Sequence, residues 1–336
     1  MSTIRDVARV AGVSTATVSR VINAPEAVSK ATRERVRRAM QVCRYKYNAL
    51  ARGFVTKRSH TLGLIIPTIT NPIFAESTRG AQDLANEKGY QVILANSDYE
   101  YDKESELIDV LRERQVEGLL ITTTSLGGKV LQTLLAEGFP FVLLYSTIRK
   151  GPISAVGVDN YSGGYRATEH LVNLGHRRIA MLAGGFSFSD RSHHRWFGYK
   201  KCLAENGITY DPALVKQGPY TLAGGKEAIK ILLSSENPPT AIFCSNDYMA
   251  LGAMQGAKES GVAIPENLSI VGFDDMAISS FISPGLTTIR QPAYEMGRLG
   301  TELLLSHIGK SVTRPTHNML QTSLIIRETT ATLRNG

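Results

Sequence analysis

Cysteine is scarce in this chain: 336 residues carry three, Cys43, Cys202 and Cys244. They stand far apart, with no CxxC pair and no zinc-type spacing, so buried or free thiols in a reducing cytoplasm are expected instead of a disulfide frame. Aromatics make up only 7% of the residues, with a single tryptophan. No apolar run approaches the roughly 18–20 residues that span a bilayer, so no membrane segment is expected. The opening MSTIRDVARV is amphipathic and carries an acid, which argues against a secretory signal. Enzyme signatures are missing too: there is no GxSxG elbow, no Walker-type phosphate loop and no GxGxxG after a strand. Ala183-Gly184-Gly185 reads only as a point of close backbone approach. No catalytic residue, cofactor or metal is expected, and the pair His193-His194 has no third ligand.

What is present is unevenly placed. Residues 1–60 hold 13 Lys/Arg and 3 Asp/Glu, a net of +10 in a chain whose total is +8. A basic segment on a near-neutral body is the electrostatic footprint of phosphate binding. Within it, Thr3 and Asp6 form a capping box ahead of Ile4, Val7, Ala8 and Ala11 at helical spacing. Gly12 ends that helix. Ser14 then caps a second helix over 15–23, with Val18, Val21 and Ile22 facing the first, and Asn23-Ala24-Pro25 stops it. A third helix runs from the Ser29 cap to about Cys43, with Val36, Met40 and Val42 on its inner side. Short helix, glycine turn and second helix make a helix-turn-helix, which lays its second helix in the major groove of DNA. Thr15, Ala16 and Thr17 then lie at the exposed start of that helix, with Arg20 one turn on. Arg20 can donate two hydrogen bonds to guanine or hold a phosphate, while Thr15 and Ala16 offer a hydroxyl and methyls to base edges. Thr17 and Ser19 suit phosphates or local packing.

From Thr61 the pattern changes to short apolar strands alternating with helices, beginning with Leu62–Pro67 and a helix over 72–88. The alternation restarts after Asp159-Asn160-Tyr161. Such alternation means parallel sheets built from βαβ units, here in two lobes with a cleft between them. Leu286–Pro292 reads as a crossing strand returning to the first lobe, and Ser323–Arg327 as a strand rejoining the second.

The stretches Ile4–Ala8, Ala11–Ser14 and Ala16–Asn23, together with Tyr45–Arg52, resemble the LacI/GalR family of bacterial regulators. The body resembles its effector domain, which shares a fold with periplasmic sugar-binding proteins. Asn71–Glu76, Leu174–Ala180, Ser245–Gly252, Val271–Asp275 and Leu286–Pro292 carry that likeness, which extends from residue 3 to about 330. The expected fold class is therefore α/β, a helix-turn-helix headpiece on a two-lobed body with parallel sheets. The expected domains are a DNA-binding head (1–45), a hinge helix and linker (46–60) and a body (61–336). Within the body the first lobe spans about 61–160 plus 290–320, and the second about 161–289 plus 321–330.

Helix-turn-helix geometry and the resemblance together imply a DNA-contacting set of Thr3, Ser14, Thr15, Ala16, Thr17, Ser19, Arg20, Asn23, Asn48, Ala51 and Phe54. In the family the hinge folds on DNA, and paired hinges from a dimer wedge into the minor groove. Tyr47 stands where a proline is usual, and Phe54 where the wedge is usually leucine. Phe54 either inserts as the wedge or packs on the body. The resemblance further implies a cytoplasmic homodimer on a near-palindromic double-stranded operator, with a small-molecule effector in the cleft. The C-terminal residues 329–336 show no heptads, so a leucine-zipper tetramer is not expected.

Strand ends face the cleft in such bodies, which nominates Phe74, Tyr145, Asn246 and Asp274. Family match adds Arg195 and Tyr220. An Asp/Asn pair facing an arginine suits hydroxyls and an oxyanion. Phe74 could equally be core, and Asn246 and Asp274 loop caps. Ser189–Arg195 adds Arg191 at a helix start, and Tyr145 replaces an aspartate common among sugar binders. More cation and less carboxylate favours an anionic sugar derivative as effector. The function expected is a DNA-binding transcriptional regulator of a carbohydrate or sugar-acid operon. The alternative is a regulator whose body docks a protein co-regulator.

Overall fold

The computed structural model describes residues 2–23, 25–45, 58–187, 189–310 and 314–333. The expectations for Asn48, Ala51 and Phe54 lie outside those residues, as does the side chain of Asn23. The chain divides into two compact units, Met1–Ser59 and His60–Gly336.

In the first unit, α1 spans Ile4–Ala11, α2 Thr15–Asn23 and α3 Lys30–Val42. The capping box forms as its residue types require: the Thr3 backbone N–H donates to Asp6 Oδ2 at 2.9 Å and the Asp6 N–H to Thr3 Oγ1 at 3.4 Å. Gly12 ends α1 in the left-handed region, φ 61°. Val7, Ala8 and Ala11 close over Val18 and Val21 from α2 and Val36 and Ala39 from α3. Val42 departs from expectation. It is 74% exposed on the last turn of α3, because Ala39 and Val36 already fill the inner stripe.

The second unit holds two six-stranded sheets. The first contains β1 (Thr61–Ile66), β2 (Gln91–Asn96), β3 (Leu119–Ile121), β4 (Phe141–Leu144), β5 (Ala155–Val158) and β11 (His317–Leu320), in the order β11-β5-β4-β3-β1-β2. The second contains β6 (Ile179–Gly184), β7 (Val215–Gly218), β8 (Ala241–Cys244), β9 (Ser269–Asp274), β10 (Thr287–Arg290) and β12 (Ser323–Ile325), in the order β12-β10-β9-β8-β6-β7. All pairs are parallel except β10 with β12. The inner strands β1, β3, β4, β6, β8 and β9 read as largely apolar, buried runs because helices cover both faces.

Those helices are α4 (Pro72–Glu87), α5 (Tyr101–Glu113), α6 (Lys129–Ala136), α7 (Asn160–Asn173), α8 (Asp190–Glu205), α9 (Leu222–Leu233), α10 (Asp247–Glu259) and α11 (Ala293–His307). Leu286–Pro292 does not return to the first lobe as a strand. Its Thr287–Arg290 portion pairs with β9 in the second sheet, where buried Leu286 and Ile289 find their apolar neighbours. The crossing follows at Gln291-Pro292 and leads into α11, which packs on α4. A Cβ on Gly297 would come within 1.9 Å of the Ser77 carbonyl oxygen, so the two backbones touch there.

Candidate functional site

In the head, α2 presents its polar start to solvent. Ser14 Oγ accepts from the Thr17 N–H at 3.1 Å and lies 2.9 Å from Thr17 Oγ1, which fixes the first turn. Ser14, Thr15, Ala16 and Arg20 are exposed, Thr17 and Ser19 are half-buried, and Val18 and Val21 are buried behind them. Ala16 and Arg20 are four residues apart and so share a face. Thr3 serves α1 first, its hydroxyl donating to Asp6 Oδ2 at 2.8 Å. Arg5, Lys30, Arg35, Arg37 and Arg38 are exposed around this small core, supplying the charge that phosphates attract.

In the body, the carboxyl ends of both sheets converge on a cleft. It is lined by Asn71, Ile73, Phe74, Tyr99, Tyr145, Arg191, Arg195, Tyr220, Asn246, Asp274 and Gln291. All seven residues nominated from sequence are among them. The cavity is tight, with about 30 Å³ open to water-sized bodies. Hydrogen bonds that cross between the lobes beside it include Tyr248 Oη to the Thr70 carbonyl at 2.8 Å and Thr147 Oγ1 to Asp190 Oδ2 at 2.6 Å.

The two arginines differ. Arg195 is committed: Nε donates to Asn160 Oδ1 at 2.8 Å, Nη1 donates to the Ser245 carbonyl, and the guanidinium lies 3.5 Å over the Phe273 ring. The oxyanion-binding role that the resemblance suggests for it therefore falls on a side chain that already holds α7, β8 and β9 together. Arg191, also from α8, is 7% exposed and has no side-chain hydrogen bond or ion pair among the described residues. Its backbone N–H donates to Asp190 Oδ1 at 2.8 Å, which fixes the helix start.

Asn246 is both cap and lining. Its Oδ1 accepts from the Met249 N–H at 2.9 Å, which leaves the amide NH₂ for the cleft. Asn71 repeats the arrangement on α4, accepting from the Ile73 N–H at 3.1 Å. Phe74, 4% exposed, belongs to the first lobe's core and to the lining at once. Tyr145 offers its ring, since its hydroxyl donates to the Ile73 carbonyl at 2.8 Å and its ring meets Phe74 edge-on at 5.1 Å. Burial pushes the Tyr145 and Tyr99 phenols upward, so both stay protonated. Tyr220 donates to Ser189 Oγ at 2.8 Å and lies 5.7 Å from Tyr99.

Asp274 ends β9 with φ 125°, a conformation that L-residues rarely adopt. Its Oδ1 accepts from Gln291 Nε2 at 2.5 Å, and burial pushes its carboxyl up to about 8 against the opposing pull of Arg195. Gln291 Oε1 is buried with no partner among the described residues. Sequence reasoning missed Asn71, Ile73, Tyr99 and Gln291. Asn71, Ile73 and Gln291 lay in quoted motifs, and the signal for Asn71 was its place before Pro72 as a helix cap. His193 turns away from the cleft, stacking on Trp196 at 5.3 Å and Phe186 at 5.2 Å. Among the described residues no group of three His, Cys, Asp or Glu could hold a metal ion, and no helix is long and apolar enough to cross a membrane.

A basic three-helix head with an exposed recognition surface and a two-lobed body with a polar cleft together define a DNA-binding regulator. Residues 3–48 match the family described as bacterial regulatory proteins, lacI family, and residues 168–330 a periplasmic binding protein-like domain. The chain is 36% identical to catabolite control protein A of Priestia megaterium over 92% of this chain and 93% of that one. It is 35% identical to the HTH-type transcriptional repressor CytR of Escherichia coli (strain K12) over 99% and 97%. Among solved structures, the lac repressor dimer bound to operator and the anti-inducer ONPF matches with TM-score 0.88 and 31% identity, covering 98% of this chain and 99% of that one. The complex of the transcriptional regulator CelR with cellobiose matches with TM-score 0.74 and 32% identity, covering 98% and 100%. The chain belongs to the LacI family. It is a DNA-binding transcriptional regulator, as its relatives are, and not an enzyme.

Proposed function

We propose that this regulator represses a carbohydrate or sugar-acid utilisation operon under control of a small anionic sugar derivative held between the lobes. Arg191 carries the reading. A guanidinium 7% exposed, facing the cavity with no side-chain hydrogen bond or ion pair among the described residues, fits a carboxylate or phosphate that would pair with it directly. The rest of the lining supports it. The amide NH₂ groups of Asn71 and Asn246 add donors, while Asp274 and Gln291 Oε1 offer acceptors to hydroxyls. Arg195 then acts mainly by holding the cleft's wall, and Tyr99 and Tyr220 supply flat apolar surface.

Because the cavity is so small, a sugar-sized ligand enters only if the lobes part or its side chains swing. The ligand's preference between lobe arrangements then biases operator affinity. Whether it releases or tightens DNA follows from which arrangement it favours. Two chains would pair in the cytoplasm on a near-palindromic operator. Supporting surfaces are the edge strand β2, where Ile93 and Leu94 are 38% and 41% exposed, and the second lobe, where Leu222, Ile278 and Phe281 are 50%, 45% and 84% exposed. Arg20, Thr15 and Ala16 would read bases, and Phe54 would wedge the minor groove.

A thermal-shift screen of sugar acids, sugar phosphates and neutral sugars tests the reading. A specific ligand at a hundredfold excess over Kd stabilises the body by about 2.7 kcal/mol. Stabilisation by neutral sugars alone would remove the anion from the proposal while leaving the regulator assignment intact.

A further inference from the structure

A second concavity lies on the first lobe, at the end where its parallel strands begin and so away from the cleft. It has a volume of about 270 Å³ and shares no residue with the cleft lining. Its walls are Leu135 at the end of α6, Phe139, Phe141 at the start of β4 and Ile153 ahead of β5, with His307 and Lys310 beside them. Small-molecule sites are of this kind, mostly apolar with a few converging polar groups.

Two features of that rim are unspent. His307, the last residue of α11, is 7% exposed, and neither ring nitrogen meets a hydrogen-bond partner among the described residues. Its ring nitrogens stay open to water at the groove, where an incoming acceptor can take that water's place. Burial lowers its pKa, so near neutral pH the ring is a neutral N–H donor. Lys310 is exposed and forms no ion pair among the described residues. Arg112 stacks over Phe139 at 5.2 Å, but its charge is taken by Glu137.

We propose that this groove is a second ligand site, for a small amphipathic carboxylate. The apolar body lies among Leu135, Phe139, Phe141 and Ile153, one carboxylate oxygen accepts from His307, and Lys310 neutralises the charge. An uncharged analogue would forgo the Lys310 contact. A phosphate would bring more charge than one lysine answers, and no apolar body to fill the groove. The inference is independent of what binds in the cleft.

Calorimetry on the full chain tests it with 4-phenylbutyrate and, as uncharged control, 4-phenylbutanol. One saturable site for the acid is expected with Kd on the order of 1 mM or tighter, at least about fivefold tighter than for the alcohol. Lys310→Ala should bring the acid down to the alcohol's affinity, and Arg191→Ala should change neither. Leu135→Trp, at a position 40% exposed and so tolerant of a large ring, should obstruct the groove and abolish binding of both. Absence of saturable binding overturns the proposal. So does equal affinity for acid and alcohol, or binding that survives Leu135→Trp and fails in Arg191→Ala.

Discussion

The contrast between Arg191 and Arg195 gives the sharpest mutational prediction. Both are buried arginines of α8, four residues apart and lining one cleft. Arg195→Ala deprives Asn160 Oδ1 and the Ser245 carbonyl of buried donors and empties the space over Phe273. Removing one member of a buried charged network costs about 3–5 kcal/mol. At roughly 2–4 °C per kcal/mol for a body of this size, the melting temperature should fall by about 6–20 °C. Arg191→Ala removes a guanidinium with no side-chain hydrogen bond or ion pair among the described residues, whose charge reaches Asp274 and Glu104 only at longer range, so the ligand-free protein should lose much less stability than with Arg195→Ala. Affinity for the anionic effector should instead fall by about 1.5–3 kcal/mol, roughly ten- to a hundredfold. Differential scanning fluorimetry gives the first quantity, and calorimetry with the sugar acid or phosphate that stabilises the parent gives the second. Equal destabilisation by the two substitutions, or undiminished anion binding in Arg191→Ala, would refute the division of roles.

Arg20→Ala should relax base preference at one position per half-site at a cost of about 1–3 kcal/mol per contact, read by binding selection; unchanged preference would leave Arg20 a phosphate contact. Asp274→Asn should raise the stability of the ligand-free body in a pH-dependent way. The folded state holds that carboxyl up near 8, so its stabilisation is complete below about pH 4 and is lost as pH rises toward 8. Asparagine keeps the neutral form, and its advantage should grow by at most about 1.4 kcal/mol per pH unit across that window. A flat difference between pH 5 and 8 would remove the buried carboxylate from the account. Phe281→Asp, at an 84% exposed apolar position, should shift the dimer toward monomer in sedimentation without lowering the melting temperature of the body.

The head was legible because its signals are local. Thr3, Gly12, Ser14 and Ser29 cap or end helices through contacts within four residues. Some elements of the body lack such signals. Helix α11 contains Gly297 and Gly300, which weaken helical propensity and are present for close packing on α4 and Leu144. The strands β7 and β11 lie on or near sheet edges and are short and partly polar, so no apolar run marks them. In the cleft, the rule that ligands meet strand ends, joined to the family resemblance, placed seven lining residues. Tyr99 escaped because it reaches the cleft through two successive left-handed residues, Asp98 and Tyr99 at φ 54° and 63°, that no motif announces. Which arginine is free could not be read at all, since it depends on where Asn160 and Ser245 fall in space.

Under the proposed function, occupancy of the cleft controls recognition of a specific DNA site. The direct measurement is selection of genomic fragments by the full chain, followed by titration of the enriched site with and without the sugar acid or sugar phosphate that stabilises the body. The expected result is a two-fold-symmetric site whose affinity changes with ligand in the parent, and an Arg191→Ala variant that binds the same site but no longer responds. No sequence preference, or a ligand response that persists in Arg191→Ala at parental ligand concentration, would contradict it.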